Sequence, residues 1–124
     1  MTSFDGQDRV LVVEDDVDIR GLIADILRLE GYSVDAVENG REALEHLRAG
    51  PPPRVILLDL MMPEMNGWEF RTAQAQDPAL AEIPVVILTG GGNAAAAAQG
   101  LGVDAFLRKP VDLDELLEMV KRYC

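Results

Sequence analysis

The chain is poor in several residue types, and each shortage excludes something. Cysteine occurs once, at Cys124, so no disulfide can close within the chain. Histidine also occurs once, at His46, which leaves no Cys/His set of the kind that holds zinc. Lysine occurs twice, at Lys109 and Lys121, and Lys and Arg together number 11 against 22 Asp and Glu, a formal net charge of −11. That balance argues against nucleic acid as a direct ligand, because a phosphate backbone is gripped by clustered cations. It argues equally against an anionic membrane surface. The runs of Val, Ile and Leu such as Val55–Leu58 and Val85–Leu88 are far shorter than the roughly 20 residues a membrane span needs. Residues 1–7 carry neither the basic nor the apolar segment of a signal peptide. The expected setting is soluble, reducing and cytoplasmic.

A length of 124 residues and a hydrophobic fraction of 48% support one domain with a sizeable core. Five short apolar runs recur: Val10–Val13, Ser33–Val37, Val55–Leu58, Val85–Leu88 and Val103–Leu107. Between them the period changes. Ile19, Leu22, Ile23, Ile26 and Leu27 form one helical stripe, Ala43, Leu44 and Leu47 a shorter one, and Trp68, Phe70 and Ala73 a less regular one. Leu113, Leu116, Leu117 and Val120 mark a last helix, with acids at its start and Lys121 and Arg122 at its end. Five alternating βα units whose strands are apolar on consecutive residues predict an α/β fold, a doubly wound parallel sheet with helices on both faces. Gly31, Gly50–Pro53 and Gly90–Gly92 punctuate the units. Residues 1–7 are expected as a flexible N-terminal tail, and 1–124 as a single domain with no second domain following.

In such sheets the site lies at the carboxyl ends of the strands. Glu14, Asp15 and Asp16 follow the first run, Asp59 the third, Thr89 the fourth and Lys109 the fifth. Taken singly, each has a plain explanation: Asp15 or Asp16 as a helix cap, Asp59 as a loop acid, Thr89 as a strand end, Lys109 as a surface base. Together they place several carboxylates, one hydroxyl and one ammonium on one rim. Packed carboxylates repel, and a hard divalent cation such as magnesium relieves the repulsion. Cation, ammonium and hydroxyl can surround a phosphoryl group, and a carboxylate can accept one as an acyl phosphate. Asp59 is the central candidate.

Val12-Val13-Glu14-Asp15-Asp16, the run Leu57 to Gly67 with its Asp-x-x-Met-Pro-x-Met-x-Gly pattern, Leu88-Thr89-Gly90 and Leu107-Arg108-Lys109-Pro110 resemble the receiver (CheY-like) domain of bacterial two-component response regulators over nearly the whole chain. The resemblance implies a flavodoxin-like (βα)5 fold with strand order 2-1-3-4-5. It implies Asp59 as phosphoacceptor, with Lys109 and Thr89 assisting. It implies a Mg2+ site, with Mn2+ as a substitute, held by Asp15, Asp59 and the Met61 backbone carbonyl, and by Glu14 through water. Thr89 and Phe106 would be switch residues, and Pro63, Gly67 and Pro110 would shape loops, Gly67 at a positive φ and Lys109-Pro110 as a cis bond. The phosphoryl donor would be a sensor histidine kinase, a histidine phosphotransfer protein or a small phosphodonor. The output would be a changed surface around the fourth helix, fifth strand and fifth helix that binds a downstream effector. Such a domain phosphorylates and dephosphorylates itself rather than turning over an external substrate.

Gly90-Gly91-Gly92 departs from the family pattern and predicts a mobile loop. The nearly uncharged Asn93–Gln99 segment predicts a fourth helix without the charged pairs of dimerising regulators, so a monomer or a weak phosphorylation-dependent dimer is expected. Other readings are a receiver excised from the N-terminus of a larger regulator such as a transcription factor, and a degenerate receiver used only for contact. A haloacid-dehalogenase-type phosphatase needs a second Asp where Met61 stands. An FMN module needs a phosphate loop where the acidic Glu14-Asp15-Asp16 stands.

Overall fold

The computed structural model describes residues 8–60, 65–90, 96, 99–103 and 105–124. In chain order the elements are β1 (Arg9–Val13), α1 (Val17–Leu29), β2 (Ser33–Val37), α2 (Gly40–Ala49), β3 (Val55–Asp59), α3 (Gly67–Gln76), β4 (Val85–Thr89), β5 (Ala105–Arg108) and α4 (Leu113–Tyr123). The five strands form one parallel sheet in the order β2-β1-β3-β4-β5, as expected for the doubly wound fold. Ala96, Gln99 and Gly100 are also helical, and the rest of the helix expected over Asn93–Gln99 lies outside the described residues. So do the tail at 1–7, Met61, Pro63, and Gly91 and Gly92 of the glycine loop. No described helix is long and apolar enough to cross a membrane.

Two cores lie against the two faces of the sheet. Val10, Val12, Leu57 and Leu88 pack with Ile23 and Leu27 of α1 and Leu116 and Val120 of α4. Leu11, Val13, Ile56, Leu58 and Ile87 pack with Leu44 and Leu47 of α2 and Phe70 of α3. Successive strand residues point to opposite faces, so a strand covered on both sides must be apolar at every position. Each large aliphatic or aromatic side chain so buried contributes roughly 1.5–3 kcal/mol.

The helix ends follow local chemistry. Asp16, Asn39, Asn66 and Asp112 are N-caps whose side chains accept from amides of the first turn, and Asn66 forms a reciprocal capping box with Glu69. Gly31, just after α1, has φ +98°, a conformation glycine adopts without a Cβ penalty.

Four expectations need correction. Leu22, assigned to the buried stripe of α1, is 53% exposed, and Trp68 of α3 is 43% exposed. Ile23 and Leu27, and Phe70 and Gln74, lie on the buried faces, whereas at about 100° per residue Leu22 is turned about 100° from Ile23 and Trp68 about 160° from Phe70. The last strand starts at Ala105 rather than Val103, after a turn through Gly102 at φ +71°. Gly67, expected at positive φ, is not; it is the first residue of α3 and is required by close approach. A Cβ there would lie 2.8 Å from the Leu60 Cα and 2.9 Å from the Asp59 carbonyl oxygen.

Gln74 is the polar residue at the centre of α3. It is fully buried, donates from Nε2 to the carbonyls of Leu80 (2.9 Å) and Ile83 (3.0 Å), and accepts from Arg71 (3.2 Å). Arg71 in turn donates to the Leu101 carbonyl at 3.1 Å, tying α3 to the segments before β4 and β5. Replacing Gln74 by Leu leaves these carbonyls without their side-chain donor and should cost about 2–3 kcal/mol in urea unfolding. Gly67→Ala forces backbone to move and should cost about 1–3 kcal/mol in the same measurement.

Candidate functional site

The ends of four strands, β1, β3, β4 and β5, deliver the rim residues. Glu14 continues the β1–β2 ladder by one bond, its amide donating to Val37 O at 3.1 Å, before the chain turns into α1. Asp59 and Thr89 were expected just after their strands, but they are the last residues of β3 and β4, paired with Leu88 and Arg108 respectively. Ladder bonds therefore hold both backbones. Lys109 follows β5, and its amide donates to Thr89 O at 2.8 Å. The Lys109-Pro110 bond is cis.

The side chains converge. Lys109 Nζ lies 2.9 Å from Glu14 Oε1 and 3.2 Å from Asp59 Oδ1, and both carboxylates are buried. The other Glu14 oxygen accepts from the Asp16 amide at 3.2 Å. Glu14, Asp15 and Asp59 each offer a carboxylate oxygen within 4.8 Å of the others, with Asp15 on the exposed side. Burial first, then the Glu14 charge, pushes the Asp59 carboxyl up to about 7, against the lowering influence of Lys109. For Lys109, burial alone would lower the ammonium pKa, but Glu14 and Asp59 outweigh it and the net direction is upward. One ammonium thus faces two buried carboxylates while a third approaches from solvent, leaving negative charge in excess. Such a donor set suits a hard cation with oxygen ligands.

Glu14, Asp15, Asp59, Thr89 and Lys109 are thus gathered at one rim, and Thr89 is buried beside them. Asp16 does not join the cluster; it caps α1, accepting from the amides of Asp18 and Ile19. Phe106 is half-buried on β5 and packs against the α2–α3 core. It also lines a groove with Glu115, Met119 and Arg122 of α4.

Two supports were not foreseen from the sequence. Arg20 of α1 reaches back to the Glu14 carbonyl at 2.9 Å. Gly40, at the start of α2, donates its amide to Met65 O at 2.9 Å, gripping the segment between Asp59 and α3. A Cβ at Gly40 would sit 2.7 Å from that same oxygen. The capping Asn39 before an apolar helical run signals the helix start, but nothing in the sequence names Met65 as its partner.

Known proteins agree with this architecture. The chain is 36% identical over 116 residues to the response regulator MprA of Mycolicibacterium vanbaalenii, covering 91% of this chain and 48% of that protein. It is 35% identical to the two-component response regulator ORR5 of Oryza sativa, covering 94% of this chain and 89% of that protein. The chain spans about half the length of several curated relatives it matches. The crystal structure of the chemotaxis response regulator CheY4 of Vibrio cholerae superposes with a TM-score of 0.84 at 30% identity, covering 94% of this chain and 98% of that one. The family model of the response regulator receiver domain matches residues 10–121, and the chain belongs to that family, the receiver domains of two-component signalling.

Proposed function

We propose that Asp59 accepts a phosphoryl group from a phosphohistidine on a sensor histidine kinase or phosphotransfer protein, or from a small phosphodonor, in a Mg2+-dependent reaction. The observation that carries this reading is the Lys109 ammonium held between Glu14 and Asp59 beside the Asp15 carboxylate. Asp15 and Asp59 would hold the ion, with Glu14 supporting them and Met61, outside the described residues, lending its carbonyl. Bound there, the ion would supply positive charge that offsets the repulsion between the carboxylates and the incoming phosphoryl oxygens.

The protein's own groups account for the rest. An Asp59 carboxylate oxygen attacks phosphorus as the bond from phosphorus to the donor's leaving atom breaks, the imidazole nitrogen of a phosphohistidine or the leaving atom of a small phosphodonor, giving an acyl phosphate. Lys109, already 3.2 Å from that carboxylate, is placed to neutralise a phosphoryl oxygen, and Thr89 brings a hydroxyl at the neighbouring strand end. Later loss of the group to water restores Asp59. The added charge draws on Thr89 and Lys109 together, and both adjoin β5, Lys109 directly after it and Thr89 paired with its Arg108, two residues from Phe106 at the groove against α4. That groove, with the segment before β5, is the surface for a downstream effector protein. In this reading the chain is cytoplasmic and acts by protein contact, as a single receiver or as the receiver of a longer regulator.

Incubation with a small phosphodonor and Mg2+ should add one phosphoryl group, labile to hydroxylamine and absent in Asp59→Asn; labelling that survives in Asp59→Asn places the acceptor elsewhere. The Asp59 pKa gives a second test. In the unfolded chain this carboxyl titrates near 3.8, in the folded one near 7. Between those values the unfolded state loses its proton first, so folding stability falls as pH rises through the window and the penalty is complete above it. Asp59→Asn should therefore stabilise the metal-free chain at pH 8 by about 2–4 kcal/mol, with the gain fading toward pH 4. Urea unfolding at the two pH values measures it, and added Mg2+ should narrow the difference by stabilising the wild type.

A further inference from the structure

Arg20 is the fourth residue of α1. A cation in the first turn faces the positive end of the helix dipole, so its presence there calls for a specific partner. Its Nη1 donates to the Glu14 carbonyl at 2.9 Å and lies 3.5 Å from the Asp15 carbonyl, reaching back over the Asp16 cap. The Glu14 carbonyl belongs to the peptide that joins Glu14 to Asp15. Holding it fixes the plane from which both acidic side chains leave the backbone.

The loop is pinned on its other sides too. The Glu14 amide is bonded to Val37 O, the Glu14 side chain accepts from the Asp16 amide, and the Asp16 side chain holds the first turn of α1. Lys109 bridges Glu14 and Asp59, and no described ion pair runs from it to Asp15. Asp15 is exposed, and its approach to the other two carboxylates combines a side-chain hydrogen bond with Asp59 and the backbone that Arg20 holds. Mutual repulsion would otherwise drive the three carboxylates apart.

We propose that Arg20 is a positioning residue for the cation site, clamping the Glu14–Asp15 peptide so that the carboxylates stay converged. The proposal rests on the magnesium reading of the cluster given above. It makes a prediction opposite in sign to simple electrostatics. Removing a positive charge near a dication site strengthens the dication's attraction, whereas removing a clamp weakens binding because the carboxylates must be regathered.

The test is calorimetric titration of the wild type, Arg20→Met and Arg20→Lys with MgCl2, with thermal unfolding of each metal-free chain alongside. Arg20→Met should bind Mg2+ about tenfold more weakly, the usual scale for losing a group that orients metal ligands. Arg20→Lys, which keeps the charge but loses the rigid fork, should fall between Arg20→Met and the wild type. If Arg20→Met proves too unstable to titrate, Arg20→Lys alone decides by its affinity relative to the wild type. A wild type that binds Mg2+ while the folded variants bind as tightly or more tightly overturns the clamp and leaves the magnesium reading intact. A wild type that does not bind Mg2+ overturns both.

Discussion

The structure turns on one ammonium group shared by two buried carboxylates. Lys109 sits 2.9 Å from Glu14 and 3.2 Å from Asp59, and these three residues come from the ends of β5, β1 and β3. Adjacent strands are about 4.8 Å apart, so β5 lies about 10 Å from β3 in the sheet. Only a long side chain can cross that gap, and the strand between them ends in the short Thr89. The strand order is therefore a condition of the contact. A sheet with β4 and β5 on the far side of β2 would leave Glu14 and Asp59 buried without their counter-charge, at a cost of several kcal/mol.

Around this contact the fold spends polar groups on holding backbone. Glu14 is held through its amide, its side chain and its carbonyl. The segment after Asp59 is held at its far end by the Gly40 amide on Met65 O. Gly67 allows α3 to begin directly against Leu60 and the Asp59 carbonyl. These are not charge–charge contacts, yet they decide where the charges stand. A site whose ligands repel one another needs such rigid supports, because its own side chains favour separation.

The strands were legible in the sequence because a strand buried on both faces must be apolar at every position, and Val55–Leu58 and Val85–Leu88 have no other use in a chain of this size. The rim acids were legible because they follow those runs. Helix faces were read less well. Leu22 is apolar and correctly spaced, but spacing does not say where a neighbouring element stops covering the helix, and Trp68 stands two residues before Phe70, on the opposite side of α3. Gln74 shows the converse: a polar residue at the centre of a packed face, buried because three hydrogen bonds await it. Gly67 was rightly singled out, but the need it meets is steric and comes from Leu60 and Asp59.

The sequence by itself determined the period of each segment, the alternation of strand and helix, an aspartate cap for the first helix at Asp15 or Asp16, the acids that open the last helix, and the identity of the charged groups at the strand ends. These are local properties, set by side-chain chemistry over a few residues. Only the tertiary structure decided which groups meet: Lys109 with Glu14 and Asp59, Arg20 with the Glu14 carbonyl, Gly40 with Met65, Gln74 with the carbonyls of Leu80 and Ile83. Two of these pairings bond to backbone carbonyls a few residues along the chain, Arg20 and Gln74, and Gly40 bonds to a more distant one. Every residue carries a carbonyl, so the sequence cannot mark the one that will be used. The position of the folded chain selects it.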